Sequence, residues 1–257
     1  MKAMILAAGL GTRLRPLTDD RPKALVEVAG HTMLELTLAR LRAFGVSDVI
    51  VNTHHFAEIV ESYLEANRNF GMRIEVSRED ELLDIGGGLK RAAWFFREEG
   101  ARAEQPFLVH NVDVMSTIDL ARMIRFHQEQ NALATLAVQN RATSRPLLFD
   151  ESGQFRGRAA GQGVPQKAKA AEPRHQNAPQ TGIRALAFSG IHVISPRIFD
   201  EIEEQGAFSI IASYVRLAAQ GQRIVAFDAD GYYWRDLGRP ESVKAAARDF
   251  AEGTYAL

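Results

Sequence analysis

"KAMILAAGLGTRLRPLTDDRPKALVEVAG", residues 2–30, opens on an apolar run too short for a helix and passes directly into glycines and cations. The run Lys2–Ala7 reads as a strand buried on both faces, as strands are inside a parallel sheet. Gly9 and Gly11 follow it, with Arg13, Arg15, Arg21 and Lys23 behind them. The backbone N–H groups of a glycine-rich turn can converge on an anion, and cationic side chains strengthen such a nest. The stretch therefore predicts a polyphosphate-holding loop at the end of a buried strand.

Working outward, Leu34, Leu38, Leu41 and Phe44 recur at helical spacing, and Gly45 stands where a helix should end. "DVIVN" at 48–52 is the next strand, followed by a helix near 56–66, a strand near 73–76, a helix over 88–97 and a strand at 106–110. A helix near 119–130 and a strand at 132–138 continue the pattern. This alternation predicts an α/β fold with a mostly parallel central sheet flanked by helices, which binds ligands beyond the carboxyl ends of its strands.

Past residue 140 the character changes. "RPLLFDESGQFRG", 145–157, predicts a hairpin turning at Glu151-Ser152-Gly153, and 158–181, almost free of large apolar side chains, predicts a mobile loop. A strand through "ALAFSGIHVIS", helices after Ser195 and near 209–219, a strand near 223–227, "GYYWRDLG" at 231–238 and a helix opening at Pro240 complete a single domain over 1–257.

Composition excludes several classes. A formal net charge of -1 gives no field to draw the chain onto nucleic acid or a lipid surface. The absence of cysteine excludes disulfides and thiolate chemistry and fits a reducing compartment, so a cytoplasmic location is expected. The N-terminal apolar run resembles a secretory signal but stops at "GTRLRP", and no segment reaches the length of a membrane span. A homo-oligomer is compatible with the sequence, which does not set its state.

Two familiar phosphate loops fail on the letters. A dinucleotide fingerprint needs a third glycine where Leu14 stands, and a P-loop needs Gly-Lys-Ser/Thr, which is absent. "LAAGLGTRLRPLT", "RPKALVEVAGHTMLE", an Asp behind "FLVHNVDV" and "WRDLGRPES", in that order, resemble the sugar-1-phosphate nucleotidyltransferases over nearly the whole chain. The resemblance implies a Rossmann-like nucleotide-diphospho-sugar transferase fold. Its nucleotide-binding half would span about 1–113 and its sugar-binding half about 114–257. It also implies attack by the phosphate of a sugar 1-phosphate on the α-phosphorus of an NTP, with Mg²⁺ as cofactor.

By that resemblance Arg13, Lys23 and Asp113 are catalytic, and Asp113 and Asp236 hold the metal. Leu6, Ala7, Ala8, Gly9, Gly11, Thr12, Arg13, Lys23, Gly86, Gly87 and Asn111 contact the nucleotide; Asp84, Arg158, Lys167 and Gly190 contact the sugar. The residue types suit the chemistry. Each pair of unit charges brought to ~4 Å at an effective dielectric near 20 costs roughly 4 kcal/mol, so cations must offset the repulsion between a dianion and a triphosphate.

"ELLDIGGGLKRA", 81–92, resembles the family's base-reading loop, three glycines leaving N–H groups free and room for a flat ring. Its Asp84-Ile85-Gly86-Gly87-Gly88 is similar to the Glu-Thr-Gly-Gly-Gly of N-acetylmuramate 1-phosphate uridylyltransferases. UTP with that sugar phosphate, or a related hexose phosphate, is thus the first expectation, and GTP with mannose 1-phosphate the second. A non-catalytic nucleotide-sugar sensor and a glycosyltransferase using Asn111-Val112-Asp113 are the rivals from other classes.

Two departures stand out. The family's Asn-Gly-Asp appears here as Asn111-Val112-Asp113, which predicts a differently shaped turn or a less strict glycine, since valine resists positive φ. The Glu-Lys-Pro segment whose lysine grips the sugar's phosphate is missing. Arg145, Arg156, Arg158, Lys167 and Lys169 are the expected substitutes, with 158–181 closing as a lid against Phe188–Ile191.

Overall fold

A computed structural model describes residues 1–98, 105–159 and 182–255. In chain order its elements are β1 (Lys2–Leu6), the small hairpin β2 (Glu27–Val28) and β3 (His31–Thr32), α1 (Met33–Ala43), β4 (Asp48–Thr53), α2 (Ala57–Ala66), β5 (Arg73–Arg78), α3 (Asp84–Arg91) and α4 (Ala93–Phe96). Then come β6 (Phe107–Asn111), β7 (Val114–Ser116), α5 (Leu120–Glu129), β8 (Ala134–Gln139), β9 (Leu147–Phe149), β10 (Phe155–Arg158) and β11 (Arg184–Ile194). The chain closes with α6 (Ile198–Glu201), α7 (Ile210–Ala219), β12 (Ile224–Asp228), β13 (Trp234–Asp236) and α8 (Pro240–Ala251).

β1 is buried throughout, with Ala3 and Ile5 in one apolar layer and Met4 and Leu6 in the other, as a strand covered on both faces requires. It pairs in parallel with β4 on one side and β6 on the other; β4 continues to β5. β11 runs antiparallel between β6 and β8, and β12 is parallel to β8. The sheet is therefore mixed and mostly parallel. Because the chain leaves β1 first toward β4 and later toward β6, the strand order reverses at β1, and the crevice beyond its carboxyl end is where a ligand belongs.

α1 is capped by Thr32, whose hydroxyl accepts from Glu35 N–H at 3.1 Å, and ends at Gly45 with φ +77°, as the sequence predicts. One element differs from expectation. The helix expected over 88–97 begins at Asp84 and breaks at Ala92, because Gly86–Gly88 lie inside it as a contact surface, where packing outweighs their poor helical propensity. "GYYWRDLG" yields only the short β13, which joins β7 in a separate ladder. Among the described residues no helix is long and apolar enough to cross a membrane.

Candidate active site

Gly11 takes φ +64°, and Thr18 Oγ1 donates to its carbonyl at 2.9 Å, folding the loop back into a tight turn before the 3-10 turn Thr12–Leu14. A Cβ on Gly9 would sit 3.1 Å from Lys23 Nζ, so the missing side chain is what lets the ammonium lie over the loop backbone. Pro22 starts the short 3-10 turn that carries Lys23. Leu6, Ala7 and Ala8 are buried beneath, while Thr12 and Arg13 are exposed.

Lys23 Nζ donates to Asp113 Oδ2 at 3.1 Å, and Leu237 N–H donates to the Asp113 carbonyl at 2.8 Å. The β7–β13 ladder sets Asp236 opposite Val114, so the two aspartates from opposite halves of the chain become neighbours. Asp236 Oδ1 accepts from Gly238 N–H at 2.6 Å, and a Cβ on Gly238 would fall 2.7 Å from that oxygen and 2.9 Å from Arg13 Nη2. Arg13, Lys23, Asp113 and Asp236 thus close a ring around the loop. Val112 needs no left-handed backbone: its N–H extends the ladder to the Leu6 carbonyl at 3.2 Å and its side chain is buried, so the family's glycine is dispensable here.

A buried polar relay, missed in the sequence, ties this loop to α3. Ala7 N–H donates to Asn52 Oδ1 at 2.8 Å, Asn52 Nδ2 to Glu79 Oε1 at 2.7 Å, and Leu83 N–H to Glu79 Oε2 at 3.0 Å. The available signal was positional: Asn52 and Glu79 sit at the carboxyl ends of the adjacent parallel strands β4 and β5. Gly88 is required beneath it, since a Cβ would come 2.6 Å from Glu79 Oε1.

The expectation of free N–H groups and open space at the glycine cluster needs correction. Gly86 N–H donates to the Phe208 carbonyl at 3.0 Å, and Phe208 N–H to the Leu83 carbonyl at 3.1 Å. A Cβ on Gly86 would be driven into Phe208 and one on Gly87 into the Gly206 carbonyl, so the segment before α7 occupies that space. Asp84 is exposed at φ +57°, its Oδ1 accepting from Ile85 N–H at 2.6 Å.

Gly190, at φ +75°, forms an irregularity in β11, and a Cβ there would lie 2.9 Å from both Asn111 Nδ2 and Val114 Cγ2. Asn111 Oδ1 is buried with no partner among the described residues, which leaves an acceptor available beside Asp113. Arg158 is exposed at the end of β10, Arg145 is exposed, and Arg156 is engaged by Asp150 at 2.8 and 2.7 Å. Lys167, Lys169 and the expected lid, apart from Arg158 and Ala159, lie outside the described residues. His54 and His55 serve loop structure: His54 Nδ1 meets the Glu79 carbonyl at 2.8 Å and His55 packs on Phe56.

Beneath Asn111, His110 is fully buried and burial pushes its pKa down to about 4; on β11, His192 is held down at about 3 for the same reason. Among the described residues no cluster of three or more His, Cys, Asp or Glu that could hold a metal ion exists, and Asp113 and Asp236 are the carboxylates the β7–β13 ladder brings together. Two carboxylates suit a hard divalent ion that fills its remaining positions with phosphate oxygens and water.

A glycine loop at the switch point of a mostly parallel sheet, ringed by two cations and two carboxylates, defines a nucleotide-handling transferase. The chain belongs to the Nucleotidyl transferase family, whose pattern matches residues 2–149. It is 34% identical over 259 residues to the N-acetylmuramate alpha-1-phosphate uridylyltransferase of Caulobacter vibrioides, covering 97% of each chain. It is 29% identical over 255 residues to the mannose-1-phosphate guanyltransferase of Yarrowia lipolytica, covering 99% of this chain and 63% of that longer one. In fold it is similar to HddC from Yersinia pseudotuberculosis complexed with GMP-PN, with a TM-score of 0.74 at 21% identity over 97% of this chain and 99% of that one. It is likewise similar to a putative glucose-1-phosphate thymidylyltransferase from Bacillus anthracis, with a TM-score of 0.75 at 19% identity over 96% and 94%.

Proposed function

We propose that this protein transfers a nucleoside monophosphate from an NTP to a sugar 1-phosphate and releases pyrophosphate. The observation that carries the reading is the ring in which Lys23, Asp113, Asp236 and Arg13 meet at the glycine loop. The sugar-phosphate oxygen bonds to the α-phosphorus while the bond from that phosphorus to the oxygen bridging to the β-phosphate breaks, and pyrophosphate leaves with the electron pair. Such a transfer asks little covalent work of the protein, and positioning with charge neutralisation supplies the rate. Lys23 offsets the α-phosphate as a point charge, and the Arg13 fork takes two oxygens of the outer phosphates. Asp113 and Asp236 would hold Mg²⁺, which supplies charge neutralisation and orientation to the phosphates when bound. Asp113 also keeps the Lys23 ammonium fixed over Gly9.

UTP with N-acetylmuramate 1-phosphate or a related hexose phosphate is the first substrate reading, supported by the full-length match to the Caulobacter enzyme. GTP with mannose 1-phosphate is second, supported by the guanyltransferases, which extend beyond this chain. A pure nucleotide-sugar sensor would have no need of all four ring residues. The test is pyrophosphate release with Mg²⁺ across a panel of the four NTPs, TTP and several sugar 1-phosphates; no release from any pair overturns the reading, and the best pair sets the substrate.

A further inference from the structure

Arg141 follows β8, and its guanidinium lies 3.6 Å from the centre of the Trp234 ring. Its Nη2 donates to the Phe188 carbonyl at 2.8 Å, while Trp234 Nε1 donates to the Ser189 carbonyl at 2.8 Å. The two side chains are therefore locked to each other and to β11 just before Gly190. Trp234 and Asp236 alternate onto the same face of β13, so the stacked guanidinium is set along the row that leads to the metal-site carboxylate. Asp236 acts on Arg141 electrostatically, opposing the effect of burial on its charge. Arg141 Nε is buried and has no acceptor among the described residues.

A guanidinium held on one face by indole and on one edge by a carbonyl, with a buried donor unmatched, is pre-organised for an anion with two oxygens to offer. Leaving such a donor dry and unpaired is costly, and a ligand that pairs it recovers that cost. Arg13 approaches Asp236 from the glycine loop and Arg141 from the end of β8 on β11, the strand that carries Gly190. We infer that Arg141 receives the phosphate of the acceptor sugar 1-phosphate, holding that dianion beside Asp236 for attack. This rests on the transferase reading above. It assigns the role of the absent Glu-Lys-Pro lysine to a residue in a different part of the chain.

The test begins with wild-type pyrophosphate release on the substrate panel; no turnover with any pair overturns the transferase reading and this inference with it. With an active pair, Arg141→Gln is expected to raise KM for the sugar 1-phosphate by about 30-fold or more and to leave KM for the NTP within about threefold, the loss typical of a charge-assisted contact. Arg141→Lys keeps charge and stem but not the fork, and a smaller rise in acceptor KM is expected. It also serves where the Gln variant does not fold, judged by thermal melting. An unchanged acceptor KM in the folded variants, or equal rises for both substrates, overturns Arg141 alone and leaves the transferase reading standing.

Discussion

Lys23 Nζ donates to Asp113 Oδ2 at 3.1 Å with the two side chains only 14% and 15% exposed, so the cation proposed for the nucleotide and the carboxylate proposed for the metal hold each other in the free protein. Removing one partner leaves the other charge poorly solvated, while removing both does not. Lys23→Met is expected to cost about 2 kcal/mol in urea unfolding, and Lys23→Met with Asp113→Leu less than the sum of the single changes. Additive losses would mean that the pair contributes nothing through its mutual contact. Asp113→Asn keeps a hydrogen-bonding oxygen for Lys23 but loses the charge, so turnover should fall by orders of magnitude in a folded protein. Wild-type turnover would exclude Asp113 from the metal site.

Arg13 reaches the ring from an exposed turn and touches the Gly238 corner beside Asp236. Because its proposed partners are the outer phosphates, Arg13→Ala should weaken binding of NTP and pyrophosphate by about tenfold or more, and binding of the nucleotide-sugar product much less. Titration calorimetry with the three ligands separates the cases. Equal losses for all would make Arg13 a support of the loop.

Much of this architecture was legible because local pattern and burial agree. Lys2–Ala7 reads as a doubly covered strand and is one, and Gly45 ends α1 as its position demands. Asp113 and Asp236 could be chosen from the sequence by motif, but their adjacency depends on the β7–β13 ladder, a pairing between two three-residue strands too short to show any period. Gly86–Gly88 read as freedom for a ligand and are instead surfaces for Phe208, Gly206 and Glu79, because a glycine's letter reports a close approach without saying by what. Asn52, Glu79 and Arg141 lie outside any motif. Only the register of the strands and the stacking on Trp234 bring them to the site.

Gly190 combines a positive φ with a crowded neighbourhood. Alanine there would meet both the left-handed backbone penalty and Asn111 Nδ2 and Val114 Cγ2 at 2.9 Å. Gly190→Ala is expected to lower stability by about 1–3 kcal/mol and to displace Asn111, reducing turnover by more than stability alone explains at a temperature where the variant is fully folded. A variant with ordinary stability and full turnover would show that β11 can relax at this point.

Acid destabilises this fold through buried histidines. His110 and His127 are held neutral by burial with pKa values near 4, and His192 near 3, against an ordinary 6.5. His192 Nδ1 meets Tyr214 OH at 3.1 Å, neither His110 Nε2 nor His192 Nε2 has a partner among the described residues, and burial outweighs the Asn111 carbonyl and the Asp113 charge that favour a proton on His110. The unfolded chain therefore takes up protons first as pH falls below 6.5, and the folded state follows only near pH 4 for His110 and His127 and near 3 for His192. Above 6.5 these residues contribute no pH dependence; below it each removes about 1.4 kcal/mol of stability per pH unit until its folded pKa is reached. Urea unfolding at a series of pH values should show this steep decline. His192→Leu combined with Tyr214→Phe, which leaves no widowed hydroxyl, should reduce the slope between pH 6 and 4 by about one proton. An unchanged slope in that variant would show that His192 is solvated or paired in the folded protein and does not govern its acid lability.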